Sequence, residues 1–189
     1  MAKQKGNVVT HGLSGKIGDL LVFRQVDGKT VVSKIPEQSK TVSENQKKTR
    51  KRFQQAAIYA KAATAKSSES KEIYDAAAKK KKSIPYRVAV ADFFNAPDIH
   101  HVDVSHYTGA PGDVIRIEVS DDTAVKSVKV TIINADGSLV EEGDAQVDVS
   151  GYVWKYTAVQ TNDSLEGDKI VITASDFPEN ITREEQILE

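Results

Sequence analysis

The chain has 189 residues, 39% of them apolar and 28% charged, with a formal net charge of −1, which is ordinary for one large or two small soluble domains. No run approaches the roughly 18 apolar residues that a membrane helix needs. The absence of cysteine rules out disulfides, thiolate metal sites and cysteine nucleophiles.

The net charge hides an asymmetry. Residues 1–100 hold 20 Lys/Arg and 9 Asp/Glu, whereas residues 101–189 hold 6 and 18. Halves of opposite sign point to an oppositely charged neighbour, nucleic acid or a membrane surface. The plainer account is two modules, each kept soluble by its own charge. The basic start Met1-Ala-Lys-Gln-Lys-Gly6 runs into Asn7-Val-Val-Thr-His11 and not into an apolar stretch, so it does not read as a secretory signal. Without a signal or cysteine, the expected location is the cytoplasm or a particle assembled there.

In chain order, residues 19–35 form two β-rich runs around Asp27-Gly28, a strong hairpin signal because a type I′ turn needs positive φ at both central residues. Pro36 is expected to close the second strand. Ser43-Glu-Asn-Gln46 has the form of a capping box and opens a helix to about Lys66, with an inward stripe of Phe53, Ala56, Ala57, Ala60 and Ala63. A second helix is expected from Ser70 to Lys82, with Ile73, Tyr74, Ala77 and Ala78 facing inward. Ser83 and Pro85 then start a third, with Tyr86, Val90, Phe93 and Phe94 as its apolar residues. From Ile99 the period changes to two. Ile115/Ile117/Val119, Val128/Val130/Ile132, Tyr152/Trp154/Tyr156 and Ile170/Ile172/Ala174 alternate with polar or smaller residues between turn signals. About seven short strands in this stretch read as a β-sandwich. The expected fold is therefore an α+β part, a hairpin plus helices over residues 1–98, followed by an all-β immunoglobulin-like sandwich over residues 99–189.

Little in the chain suggests chemistry. Gly15-Lys16 would fit the end of a phosphate-binding loop, but Thr10 stands where that motif has its first glycine and Ile17 where it has Ser or Thr. These glycines read as a turn into the hairpin. His100, His101, Asp103 and His106 are poorly spaced for one metal ion. On a strand, His100 and His106 would stand roughly 20 Å apart at ~3.3 Å per residue. Asp121, Asp122, Asp163 and Asp176 are candidates for a calcium-binding loop cluster, against the commoner reading of solvated acidic loops. No Ser/His/Asp set and no carboxylate pair stands out, so no catalytic residue, cofactor or metal ligand is assigned.

The basic residues are the candidate interaction surface. Lys47, Lys48, Arg50, Lys51 and Arg52 crowd the first turns of the first helix, where positive charge opposes the helix dipole. Lys79, Lys80, Lys81 and Lys82 end the second helix, where the dipole favours them. Antiparallel pairing of the two helices would merge both groups into one patch.

Two resemblances bear on this. Gly112-Asp-Val-Ile-Arg-Ile-Glu-Val119, Val125-Lys-Ser-Val-Lys-Val130, Gly151-Tyr-Val-Trp-Lys-Tyr156 and Ile170-Val-Ile-Thr-Ala-Ser-Asp176 resemble the blocks of a bacterial immunoglobulin-like domain over residues 99–189. The chain departs from antibody domains in lacking the Cys pair and in placing Trp154 late. That resemblance implies adhesion, spacing or docking, as on surface proteins and phage structural proteins. Ser14-Gly-Lys-Ile-Gly18, a strand pair and a helix carrying Gln46, Arg50 and Phe53 resemble a prophage-associated family of short uncharacterised bacterial proteins over residues 10–95. It implies no activity. The expectation is a non-catalytic structural or assembly protein, phage-related, whose partner is another protein or a second copy in a head-to-tail contact. The alternative is non-specific nucleic-acid binding through the basic patch. No membrane partner is expected.

Overall fold

The computed structural model describes residues 2–3, 12–35 and 42–188. The chain divides into two compact units, residues 1–47 and 48–189. Thr10, His11 and Pro36 lie outside the described residues.

The first unit carries a four-stranded antiparallel sheet in the order β1-β4-β3-β2, from β1 (Ala2–Lys3), β2 (Gly15–Ile17), β3 (Leu21–Val26) and β4 (Lys29–Lys34). Asp27 and Gly28 both take positive φ, 51° and 72°, as the type I′ turn requires. Gly15–Ile17 pairs with β3 as a strand. Phe23, Thr30 and Val31 are buried, while Gln25 Nε2 donates to Thr30 Oγ1 at 2.9 Å.

Helix α1 (Glu44–Ala63) opens on the expected capping box. Gln46 N donates to Ser43 Oγ at 3.2 Å, and Ser43 N donates back to Gln46 Oε1 at 3.1 Å, so two otherwise orphaned N–H groups are satisfied. Its buried face is Ala56, Ala60 and Ala63. Phe53, expected on that stripe, is instead 56% exposed. It stacks on Phe94 with ring centroids 6.5 Å apart.

Helix α2 (Lys71–Lys80) buries Tyr74 and Ala78. Ser70 stands at its N-cap, but its hydroxyl donates to Ala63 O at 3.1 Å, closing the end of α1 instead. The helix stops in a left-handed turn. Lys82 has φ 49°, and Ser83 N reaches Ala78 O at 2.9 Å, the long bond of a Schellman ending. Helix α3 (Pro85–Asp92) is capped by Ile84 with Pro85 at N1, one residue later than a Ser83 cap would place it. Its buried face is Val88, Ala89 and Asp92, whereas Tyr86 is exposed and Val90, Phe93 and Phe94 are half-buried. Ala60, Ala63, Tyr74, Ala78, Val88 and Ala89 form one small core.

The rest of the second unit is a β-sandwich-like body of two four-stranded antiparallel sheets. One is β5 (Asp98–Asp103), β6 (Val114–Ser120), β10 (Val153–Thr157) and β9 (Gln146–Val147), in that order. The other is β12 (Ile181–Ile187), β11 (Lys169–Asp176), β7 (Val125–Ile133) and β8 (Leu139–Asp144). The period-two residues meet between them in one apolar cluster: Ile115, Ile117 and Val119 from β6, Val128, Val130 and Ile132 from β7, and Ile170, Ile172 and Ala174 from β11. Trp154 and Tyr156 join it from β10. Tyr152 precedes that strand and stays outside, its ring stacked on His100.

Candidate functional site

All nine basic residues singled out in the sequence are exposed. Lys47 pairs with Glu44 at 2.7 Å, one turn away. The Arg52 guanidinium sits 5.1 Å from the centre of the Phe94 ring, a cation–π contact that holds one end of its charge in place. Phe94 follows the last turn of α3, whereas Lys79 to Lys82 lead into its first. The eight residues of α3, about 12 Å at 1.5 Å per residue, therefore lie between Arg52 and the lysine run. Among the described residues the ion pairs are local to the helices or local to the sandwich: Lys47–Glu44, Lys71–Asp75 and Lys129–Glu142.

The histidines are engaged separately. A bulge between Ile99 and His101 shifts the register of β5. His100 Nε2 lies 2.7 Å from Ser120 Oγ, while His106 lies beyond the end of β5, with Nδ1 3.0 Å from Ser105 Oγ. Asp103 is occupied by Ser105, whose hydroxyl and backbone N–H hold its carboxyl below the usual range.

The acidic loop residues divide between the two ends of the sandwich. Asp163 lines a cleft of about 590 Å³ with Asn134, Asp136, Asn162 and Asp168. There Asp168 accepts from Ala135 N and Asn162 Nδ2, both at 2.8 Å, so its carboxylate knits two loops together. Asp121, Asp122 and Asp176 lie at the other end, where the helices join the sandwich. Among the described residues, no three His, Cys, Asp or Glu side chains are grouped to hold a metal ion. No described helix is long and apolar enough to cross a membrane.

That junction buries two acids, Asp92 and Asp176. Asn180 Nδ2, at the start of β12, lies 3.2 Å from Asp92 O, 2.7 Å from Asn95 O and 2.7 Å from Asp176 Oδ2. Thr182 Oγ1 donates to Pro97 O, and Asn95 Nδ2 donates to Asp122. Deeper in, Tyr74 OH donates to Asp92 Oδ2 at 2.6 Å and lies 2.7 Å from Tyr59 OH. Asp92 is only 1% exposed and Asp176 fully buried. Burial pushes the Asp92 carboxyl up to about 6, helped by the Asp121 and Asp176 charges and opposed by hydrogen bonding from Thr123 and Tyr74. Burial also raises Asp176, against the hydrogen bonds from Asn180. Sequence periodicity misses this cluster because Asp92 occupies an apolar position of α3 and its neighbours come from distant segments. The one available signal is an acid in step with Val88 and Ala89 on a helix face.

No family model and no curated protein matches the chain. Among solved structures, it is similar to one described as the crystal structure of an engineered protein, at 24% identity and a TM-score of 0.32. The match covers 47% of this chain and 19% of that one, and a likeness this slight carries no argument.

Proposed function

We propose that the protein is a non-catalytic assembly or docking subunit, with an immunoglobulin-like sandwich and a basic helical segment that engages an acidic surface on another molecule. One observation carries the reading. The helices and the sandwich have opposite charge, yet among the described residues no ion pair joins them. They meet instead through Asn95, Asn180, Thr182 and buried acids. Lys48, Arg50 and Lys51 therefore remain in water, at a helix start where they oppose the dipole. Exposed acids such as Asp122, Glu142, Glu184 and Glu185 offer the complementary surface on a second copy or on a different protein. A contact between a helical segment and a sandwich is heterologous, so it builds rings or filaments when repeated. Two antiparallel four-stranded sheets around one apolar core support the immunoglobulin-like part of the reading, and a phage-type particle is one setting for it.

Sedimentation velocity across a concentration series, at low and high salt, tests this. Assemblies that dissolve as salt rises, and that disappear when Lys47, Lys48, Arg50, Lys51 and Arg52 are replaced by Ser or Gln, support a copy as the partner. A monomer under every condition directs the search to a foreign partner. If added duplex DNA then binds with the steep salt dependence of phosphate contacts, the nucleic-acid reading replaces this one.

A further inference from the structure

Three buried oxygens at the junction, Asp92 Oδ1, Asp121 Oδ1 and Thr123 Oγ1, lack a hydrogen bond of good geometry, although the Thr123 hydroxyl is near enough to act on Asp92. Two are carboxylate oxygens, which accept only, so they cannot satisfy each other while both groups are ionised. The groups that act most strongly on Asp92 are hydroxyls and other acids. The β6–β7 loop supplies Asp121 and Thr123, the end of β11 supplies Asp176, and α2 and α1 supply Tyr74 and Tyr59. Glu179, in the β11–β12 loop, acts on Tyr59 and is also an acid. Among the described interactions, no Lys, Arg or His is bonded to Asp92, Asp121 or Asp176. Buried like charges without a cation are costly, and the inexpensive remedy is for one of them to keep its proton.

We propose that the junction is a proton-operated latch: one proton on Asp92 Oδ1 keeps the end of α3 seated on the β6–β7 and β11–β12 loops, and its loss as pH rises loosens that contact. The proton converts Asp92 Oδ1 from an acceptor into a donor facing Thr123 and the Asp121 charge. Tyr74 goes on donating to Oδ2 in either state. When the proton leaves to solvent, Asp92, Asp121 and Asp176 carry like charge in one buried place. The contacts through Asn180 and Thr182 are then what the repulsion strains. The latch is independent of the assembly reading above.

The test is amide hydrogen exchange of the full chain at pH 5 and pH 8, corrected for intrinsic rates, following residues 92–97, 121–124 and 176–182. The latch predicts protection in these segments about tenfold weaker at pH 8 than at pH 5, as a shift of one or more pH units implies. In Asp92→Asn, protection at pH 8 returns to the acid value, and comparison with this variant cancels every other titrating group. Two further variants keep the proposal testable should Asp92→Asn fail to fold. Asp121→Asn removes a neighbouring charge and moves the transition to lower pH. Tyr74→Phe removes a donor to the ionised carboxylate and moves it to higher pH. Equal protection at both pH values, or a transition that neither variant moves, overturns the latch. Calcium or magnesium restoring protection at pH 8 in the unsubstituted chain but not in Asp92→Asn would also overturn it, by assigning the same oxygens to a metal.

Discussion

Replacing Gly109 by alanine sets a steric effect against a conformational one, and Gly112 provides the matched control. Both glycines have positive φ, 88° and 97°, so either substitution pays a left-handed strain of about 1–2 kcal/mol. They differ in what a Cβ would meet. At Gly112 there is open space, whereas at Gly109 the Cβ would lie 2.3 Å from the backbone oxygen of Asn162. Backbone cannot rotate aside as a flexible side chain can. The loop must move, straining the bond from Asn162 N to Gly109 O, 2.8 Å long, and the buried Asn162–Asp168 contact beside it. Overpacking of this kind costs about 1–3 kcal/mol, and a strained hydrogen bond about 1 more. Gly109→Ala should therefore destabilise by about 3–6 kcal/mol and Gly112→Ala by about 1–2. With a slope of about 2 kcal/mol per molar urea, the midpoint shifts are roughly 2 M and below 1 M. Equal shifts for the two variants would refute the close approach of Asn162 to Gly109.

Other outcomes follow from the same packing. Ile172→Ala leaves a cavity at the centre of the sandwich, where the side chain is wholly buried, and should cost about 3–4 kcal/mol in urea unfolding. Ser43→Ala removes the acceptor for Gln46 N and should weaken α1 by about 1 kcal/mol, read as faster exchange in its first turn. Lys82→Gly places glycine where φ is 49° and should stabilise the α2 ending by about 0.5–1 kcal/mol. For Asp92 the folded value lies above the unfolded one, so its contribution is fully present below about 4 and is lost as pH rises through about 6. Two units correspond to ~3 kcal/mol over the whole window, and because about half of it lies below pH 5 the expected loss between pH 5 and pH 8 is about 1–2 kcal/mol, measured as a difference from Asp92→Asn.

The parts of the fold that could be read from the sequence are those specified by neighbours in the chain. Asp27-Gly28 needs only its own φ angles to turn a hairpin, and Ser43 with Gln46 needs only one helical turn to cap α1. The strands of the sandwich announce themselves because burying one face imposes a strict period of two. Placements that failed are those decided by distant partners. Phe53 has the spacing of an inward residue, but Ala56 and Ala60 let the neighbouring helices approach closely enough that a large ring is better placed outside, on Phe94. Tyr86 is one of the apolar residues of α3, yet it is exposed, and Val88, Ala89 and Asp92 form the buried face. The acids of the loops could not be assigned to ends from spacing alone. Asp121 and Asp163 flank opposite ends of the β7–β11 region, and only the strand pairing shows which acids become neighbours.

The two charge systems of the second unit respond to different variables, which separates their consequences. The exposed basic residues sit in water, so what they contribute to an intermolecular contact is set by ionic strength, with a screening length of about 10 Å at 0.1 M salt. Asp92 is shut off from solvent, where screening by salt is weak, and its state is set by pH. An assembly that dissolves with salt at fixed pH reports on the basic residues. One that changes with pH at fixed salt, and ceases to do so in Asp92→Asn, reports on the junction. If the second behaviour accompanies the first, then the seating of α3 controls how Arg52, held against Phe94 at the end of that helix, is presented to the partner. Weakening that ring contact with Phe94→Leu should then reproduce the effect of high pH at pH 5.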